Sequence, residues 1–230
     1  MNISGLDRFD GVKKHVDSVD SGLSFSLSEI EKLLAHKNRI TVNVSGKSGA
    51  GKTFFTHKLA SLLSEKGVTC SVINTDNYVV RNESSGEHDF TKLSADISAS
   101  EQLSRVVIVE GLIPFSKESQ ADYKIFFDSP LVKRIATRFY KEAQSGHRDL
   151  GEAMRQLVAG ATDNPVLFSK YESVSPDDNT DLLVENSYTL PESPNLRVVG
   201  NKFVFSVNGS TVFEMNLEPD QIKGLERNGF

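Results

Sequence analysis

One stretch of the sequence has glycine, lysine and threonine at the spacing of a phosphate-binding loop. It reads Gly46-Lys47-Ser48-Gly49-Ala50-Gly51-Lys52-Thr53 and fits the pattern Gly-x-x-x-x-Gly-Lys-Ser/Thr at every fixed position. The glycines allow a tight turn, so that backbone amides and the start of the next helix can face an anion. Lys52 can reach the outer phosphates of a nucleotide, and the Thr53 hydroxyl can bind Mg²⁺. We expect the nucleotide to be bound by Gly46, Ser48, Gly49, Ala50, Gly51, Lys52 and Thr53.

The segments on either side of this loop favour phosphate binding over a chance glycine-rich turn. Residues 39–44 are mostly β-branched, with apolar side chains at every second position, which predicts a buried strand. Residues 54–63 carry an apolar stripe at helical spacing, which predicts a helix that starts at the loop. A strand, a loop and a helix in this order are the context that the pattern requires.

Three carboxylates follow predicted strands, and ligands of open parallel sheets collect at that edge. They come after the apolar runs 68–73, 106–109 and 124–127, and they are Asp76, Glu110 and Asp128. Phosphoryl transfer needs a metal held against the phosphates and a base near the attacking hydroxyl, roles that Asp76 and Glu110 can share beside Thr53. Glu110 is costly next to an apolar strand unless it is paired or bound to a metal. Asp76 could instead form a turn, and Asp128 could cap the helix that follows it.

A predicted helix from Pro130 to about Gln144 carries several cations. Arg134, Arg138 and Lys141 stand at i, i+4 and i+7 on one face, and Arg148 follows shortly after the helix. A solvated basic face is one interpretation. Beside a phosphate-binding loop, these cations could instead close over the phosphates and stabilise charge in the transition state.

The order of the elements predicts the three-layer α/β/α fold of P-loop nucleoside triphosphatases (NTPases), with a mostly parallel sheet. Strands alternate with helices up to a last parallel strand at 181–184. Three alternating strands separated by Gly200-Asn201 and Asn208-Gly209 then predict a small C-terminal antiparallel meander. We divide the chain into an N-terminal extension (1–38) with one helix capped at Ser26, a kinase-like core (39–190) and the meander (191–230).

Bulk composition excludes several classes of protein. The 230 residues carry a formal net charge of −5, whereas a nucleic-acid-coating surface normally has a basic excess. Cys70 is the single cysteine, which excludes an intramolecular disulfide and favours a buried structural thiol. The sequence shows no secretion-type leader and no apolar run of membrane-spanning length, so we expect a cytoplasmic protein without a membrane partner. The histidines show no metal-ligand spacing, although His88 and His147 come near the predicted cleft.

The ordered set of motifs resembles the uridine kinase and phosphoribulokinase family of P-loop kinases over about residues 40–186. It consists of the loop, Asp76-Asn77-Tyr78, Val107-Ile108-Val109-Glu110-Gly111, Lys124-Ile125-Phe126-Phe127-Asp128, the series Arg134, Arg138, Arg148-Asp149-Leu150 and Gln156, and the closing strand with Asn186.

The resemblance implies a role for individual residues. Asp76 would be the general base, with Lys52 and Arg138 completing the catalytic set, and Thr53, Glu110 and Asp76 would hold Mg²⁺. Arg134 and Lys141 would belong to a lid over ATP. The acceptor side of the cleft would be formed by Tyr78, Asp89, Arg138, Arg148 and Gln156.

Several positions depart from the family pattern on the acceptor side. Val79 stands where uridine kinases have an aromatic residue, and Gly146 replaces an arginine of the usual lid. His88-Asp89-Phe90 lacks the His-Pro step that usually follows the sugar-binding aspartate. The interval between Phe90 and Glu110 has little room for both a helix and a base-recognising hairpin. The catalytic centre is retained, whereas pyrimidine recognition is in doubt.

These observations predict an ATP- and Mg²⁺-dependent kinase that phosphorylates a hydroxyl of a small molecule such as a nucleoside, a sugar or a related metabolite. One alternative is a nucleotide-binding or NTPase module whose meander contacts a partner. Another is a kinase with a macromolecular acceptor, although the acidic balance weighs against nucleic acid. The meander could equally mediate self-association into a homo-oligomer.

Overall fold

The computed structural model describes residues 12–82, 85–111, 121–144, 149, 151, 152, 154, 155, 158, 159, 175, 176, 179–186 and 194–227. The chain forms two compact units. The first comprises Met1–Gly46, Gly51–Asp128 and Val174–Asn186, and the second comprises Lys47–Ala50, Ser129–Ser173 and Ser187–Phe230.

The first unit is built on a parallel six-stranded sheet. Its strands in chain order are β1 (His15–Val16), β2 (Ile40–Gly46), β3 (Cys70–Asn74), β6 (Val106–Glu110), β7 (Tyr123–Asp128) and β8 (Leu182–Glu185). The strand order is β1-β8-β7-β2-β6-β3, and every pairing is parallel. A short antiparallel hairpin, β4 (Val79–Asn82) and β5 (Ser85–His88), lies between β3 and β6 in the chain.

Helices pack against the central strands β2 and β6. Every residue of β2 and β6 is buried. Continuous burial of this kind is typical of parallel sheets between two layers of helices. The predicted α/β class with a mostly parallel sheet is therefore confirmed.

Three helices accompany the sheet: α1 (Val19–His36), α2 (Lys52–Glu65) and α3 (Phe90–Leu103). On α2, the ring of Phe55 meets Phe127 of β7 edge-on at 4.7 Å. Leu93 of α3 packs in a cluster with Val107 and Val109. Since neighbouring residues of a strand point to opposite faces, Glu110 points away from the α3 face.

The N-terminal helix begins earlier than the sequence predicted. Ser18 is its cap, with an extended backbone (φ −146°) and a side-chain oxygen that accepts the Ser21 N–H at 3.2 Å. Ser26, the predicted cap, is fully buried within the helix, so that prediction is wrong. The residues before this helix are not merely an extension either, because β1 pairs in parallel with β8.

The hairpin β4–β5 was not predicted. Residues 81–104 are polar and gave only a weak helical signal, which corresponds to α3. The hairpin pairs Val79 with His88 and precedes Asp89. The interval between Phe90 and Glu110 therefore contains one helix, as its length required.

The second unit has its own core. It contains α4 (Leu131–Gln144), helical residues among 151–159, the meander β9 (Asn195–Val199), β10 (Lys202–Val207) and β11 (Ser210–Asn216), and α5 (Pro219–Arg227). The predicted meander is confirmed, and Gly200, Asn208 and Gly209 have the positive φ angles that its turns need. Helix α5 was not predicted.

Neither unit is one continuous stretch of the chain, and the boundaries expected at residues 38 and 190 stay a prediction. Helix α4 belongs with the meander because Ile135 and Ala136 pack in one cluster with Phe203 and Phe205. Strand β1 and helix α1 belong with the parallel sheet. Among the described residues, the helices are too short or too polar to cross a lipid bilayer.

Candidate functional site

The predicted phosphate-binding loop joins β2 to α2 and has a backbone that only glycine adopts readily. Gly46, Gly49 and Gly51 have φ angles of 135°, 78° and 102°. A Cβ atom on Gly46 would collide with backbone atoms of Phe127, and one on Gly51 would lie 2.9 Å from the amide nitrogen of Asn186. The fixed glycines of the pattern are therefore required by backbone conformation, and at Gly46 by close approach as well.

The start of α2 is suited to binding an anion. Gly51 is the residue before the first helical turn and carries no side chain that could cap it. The first amides of a helix lack partners within the helix and lie at the positive end of its dipole. Lys52 is the first residue of the helix, and its Nζ donates to the carbonyl of Gly46 at 2.8 Å. An ammonium group thus lies close to this end of the loop.

Within the second unit, the middle of the loop forms a tight turn. The N–H of Ala50 donates to the carbonyl of Lys47 at 3.2 Å. A Cβ atom on Gly49 would collide with the backbone carbonyl of Arg134. Ser48 lies in this turn and is half-buried.

Glu110 is the most informative side chain of the site. It ends β6, is only 3% exposed, and its Oε1 accepts hydrogen bonds from the Thr53 hydroxyl at 3.0 Å and the Asn74 amide at 2.7 Å. Its other oxygen, Oε2, is buried and has no hydrogen-bond partner among the described residues. A buried carboxylate oxygen without a donor is unfavourable unless a cation or a water binds there.

These residues fit a Mg²⁺ ion. Mg²⁺ takes oxygen ligands and is usually bound by one or two carboxylates together with substrate phosphates. Glu110 supplies an oxygen that has no partner among the described residues. Thr53, whose hydroxyl contacts that carboxylate, lies in the first turn of the helix whose N-terminus suits a phosphate. The described residues contain no cluster of three histidines, cysteines or carboxylates of the kind that binds zinc.

Asp76 lies on a short 3-10 turn, Thr75–Tyr78, that directly follows β3. Its backbone N–H donates to the side-chain oxygen of Asn74 at 2.8 Å, and its side chain is exposed to solvent. The carboxylate is therefore accessible to a ligand from outside. Asn74 pairs with Glu110 across β3 and β6, which places the two predicted acidic residues at the same edge of the sheet.

Asn74 was missed by sequence reasoning. It contacts both acidic positions through its side chain, which an amide can do because it carries a donor and an acceptor. The available signal was an asparagine two positions before an acidic residue at a strand end, which is typical of a turn with a side-chain hydrogen bond.

Two predicted acceptor-side residues make contacts inside the first unit. The Tyr78 hydroxyl donates to Asp96 at 2.7 Å, and burial together with this hydrogen bond raises the pKa of Tyr78 to about 12. Asp89 caps α3 by accepting the Lys92 N–H at 2.9 Å. Both residues help to position α3, and contact with a substrate stays a prediction for each of them.

The predicted basic face of α4 is not one exposed surface. Arg134 is only 1% exposed, and its Nε donates to the carbonyl of Ser129 at 2.8 Å, whereas Lys141 is exposed. The backbone of Arg138 is helical, and its side chain, Arg148 and Gln156 lie outside the described part of the chain. The lid roles of these cations stay predictions.

Asp128 and His88 also have defined places in the first unit. Asp128 is half-buried at the end of β7, and its carbonyl accepts the Asn186 N–H at 2.8 Å. His88 pairs with Val79 in the hairpin, and His147 lies outside the described residues.

Comparison with solved structures establishes the fold. A proposed fructose transport system kinase from Silicibacter sp. TM1040 superimposes with a TM-score of 0.50 at 18% identity, covering 68% of this chain and 97% of that one. The chain therefore shares its α/β fold with that structure. The expected likeness to P-loop kinases is thereby confirmed at the level of the fold.

Two other solved structures resemble the chain more weakly. A possible uridine kinase from Bacillus stearothermophilus gives a TM-score of 0.42 at 16% identity, covering 72% of this chain and 98% of that one. The hydrogenase maturation factor HypB from Archaeoglobus fulgidus gives 0.35 at 12% identity, covering 72% and 90%. No family model matches the sequence, and no curated protein matches it either.

Proposed function

We propose that this protein is an ATP- and Mg²⁺-dependent kinase that transfers the γ-phosphate to a hydroxyl of a small molecule. The single observation that carries the proposal is the environment of Glu110. One of its oxygens is held by Thr53 and Asn74, and the other is buried and has no donor among the described residues. A carboxylate that binds a metal needs such an open oxygen.

The proposed reaction assigns a task to each residue of this edge. Lys52 and the amides at the start of α2 would bind and neutralise the outer phosphates. Bound Mg²⁺, held by Thr53 and Glu110, would withdraw charge from the phosphate oxygens. Asp76 would take the proton of the acceptor hydroxyl. The oxygen of the acceptor would form a bond to the γ-phosphorus while the bond between that phosphorus and ADP breaks.

The surroundings of Asp76 support the proposal of a small-molecule acceptor. The Asp76 carboxylate is exposed, so an acceptor can approach it from solvent. The nearby hairpin begins with Val79 and Val80, which are partly exposed apolar residues. We propose a nucleoside, a sugar or a related metabolite as acceptor, with recognition that differs from uridine kinases at Val79 and around Asp89.

A second candidate function is a nucleotide-binding module whose meander contacts a partner or a second copy of the chain. Val199 of β9 and Val212 of β11 are about half exposed, at 53% and 52%. Both lie on the outer strands of a three-stranded sheet, where exposed apolar residues favour association. This reading predicts tight nucleotide binding without phosphate transfer to any acceptor. A macromolecular acceptor is a third reading, and cytoplasmic location remains an expectation.

An assay with γ-labelled ATP over separate pools of nucleosides, sugars and cofactor precursors tests the proposal. We expect label in one acceptor with the wild-type chain and none with Lys52→Ala. Lys58→Ala is the matched control, since Lys58 lies on the same helix, is exposed and contacts Asp20 at 3.2 Å. Label released only as free phosphate would refute the kinase proposal and support an NTPase module.

A further inference from the structure

The side chain of Asn74 joins the two acidic residues of the site. Its Nδ2 donates to Glu110 Oε1 at 2.7 Å, and its Oδ1 accepts the Asp76 backbone N–H at 2.8 Å. The partners fix the orientation of the amide, because a carboxylate accepts hydrogen bonds and a backbone N–H donates them. One planar group therefore spans from the buried carboxylate of β6 to the turn after β3.

An amide is suited to this position in a way that other small polar side chains are not. An aspartate could accept the Asp76 N–H but has no donor for Glu110 when it is ionised. A serine could accept the same N–H in a turn. Its hydroxyl oxygen is bonded directly to Cβ, however, so its side chain is shorter than that of asparagine. Asparagine supplies both hydrogen bonds at once.

The contact also decides which oxygen of Glu110 is left open. Thr53 and Asn74 both donate to Oε1, so the described residues provide two donors for one oxygen and none for the other. The parallel pairing of Asn74 with Glu110 keeps the two side chains on the same face of the sheet. Turning the carboxylate out of this orientation would break both hydrogen bonds, so the two donors fix where the open oxygen lies.

We propose that Asn74 is a positioning residue that holds Glu110 and the Asp76 turn in a fixed relation, so that metal binding and placement of the base depend on one side chain. This inference rests on the proposed function, which gives Glu110 and Asp76 their roles. When a group that hydrogen-bonds to a metal ligand and orients it is removed, the affinity for the metal typically falls by about 10–100-fold.

The first test needs neither nucleotide nor metal. Hydrogen exchange of the Asp76 amide is measured in the wild type, Asn74→Ala and Asn74→Ser. We expect Asn74→Ala to lose protection at this amide and Asn74→Ser to retain part of it, because serine keeps an acceptor for the turn. Ser71→Ala is the control. Ser71 lies on the same strand as Asn74, and the substitution removes its hydrogen bond to Ser104, which is away from the site.

The second test measures Mn²⁺ binding by electron paramagnetic resonance with a non-hydrolysable ATP analogue present. We expect Asn74→Ala and Asn74→Ser to weaken Mn²⁺ binding by about 10–100-fold, and Ser71→Ala to leave it unchanged. The double variant Asn74→Ala/Glu110→Gln should bind Mn²⁺ no more weakly than Glu110→Gln alone, because Asn74 acts through Glu110. With saturating Mg²⁺, kcat should recover in Asn74→Ser and stay low in Asn74→Ala.

Different results overturn the inference and the proposed function. If the wild type binds the analogue with Mn²⁺ and Asn74→Ala stays within twofold of it, the inference is overturned and the proposed function stands. Additive losses in the double variant would also overturn it. If the wild type binds the analogue no better than Lys52→Ala, the proposed function itself fails.

Discussion

Thr53 and Glu110 stand 57 positions apart in the chain, and the hydroxyl of one donates to the carboxylate of the other at 3.0 Å. The contact joins the first turn of α2 to the carboxyl end of β6. It brings the last residue of the glycine-rich pattern to a buried acidic residue that the pattern does not include. The candidate metal site is therefore made by two elements that only the folded sheet brings together.

Two replacements of Thr53 distinguish the role of its hydroxyl from the role of its side-chain volume. Thr53→Val keeps the branched volume but removes the oxygen, so we expect Mg²⁺-dependent nucleotide binding to weaken by about tenfold or more. Thr53→Ser keeps the hydroxyl and is expected to stay near wild type. Calorimetric titration with ATP at several Mg²⁺ concentrations measures both, and equal affinities for the two variants would exclude a metal role for this hydroxyl.

Asp76→Asn should abolish phosphate transfer while ATP binding stays mostly intact. The substitution removes the carboxylate that would take the acceptor proton, and general-base catalysis typically contributes about 10²–10⁴-fold in rate. Asp20→Asn, which changes an exposed aspartate on α1, is the control. Wild-type turnover of Asp76→Asn on the true acceptor would show that another group is the base.

Gly111→Ala should destabilise the protein because the space beside Gly111 is already filled. A Cβ atom there would overlap the Thr75 hydroxyl, and overpacking of this kind typically costs about 1–3 kcal/mol. Gly67→Ala is the comparison, since Gly67 has a φ of 73° but no atom within 4 Å of an added Cβ, so only backbone strain applies. Denaturant unfolding measures both.

A second substitution tests the cause of the Gly111→Ala effect. Thr75→Ala removes the hydroxyl and the methyl group nearest to the added Cβ. The double variant Gly111→Ala/Thr75→Ala should therefore lose less unfolding free energy than the two single variants lose in sum. Strict additivity would show that the clash with Thr75 is not the source of the loss.

The Cys70 thiol should react slowly in the native protein. Burial raises its pKa to about 11, so the reactive thiolate is scarce at pH 8. We expect alkylation by iodoacetamide at pH 8 to be at least about tenfold slower than in the denatured chain. Cys70 is half-buried, and equal rates in the native and the denatured chain would contradict the raised pKa of its thiol.

The raised pKa of Cys70 also makes the stability of the protein depend on pH. Below the ordinary pKa of the thiol, both the native and the unfolded chain keep the proton, and the native state has its full stability. As the pH rises towards 11, the unfolded chain releases its proton first, so the native state loses stability. The difference in unfolding free energy between the wild type and Cys70→Ala should therefore change in this direction above about pH 9.

Much of the fold could be predicted because it depends on local patterns. The β-branched and apolar segments that form β2, β6 and β7 are long enough to identify, and the glycine-rich loop has fixed spacing. The turn residues Asn208 and Gly209 both adopt positive φ, as the sequence predicted for a tight hairpin.

The rest depended on contacts between distant residues or on competing local signals. Ser18 and Ser26 are both suitable caps, and burial of Ser26 against the rest of the fold decides between them. Strand β1 has only two residues and exists because β8 offers it an edge. Asn74 gained its importance from Glu110, which lies 36 positions away.

Strand β1 has a practical consequence for expression of the protein. His15 and Val16 cover the outer edge of β8, which would otherwise present unpaired backbone groups to solvent. Exposed strand edges are templates for pairing with other chains. Trimming the chain past Val16 would therefore yield material prone to aggregation, and a purification tag at this end should join ahead of Lys13, whose ammonium contacts Asp181 at 2.6 Å.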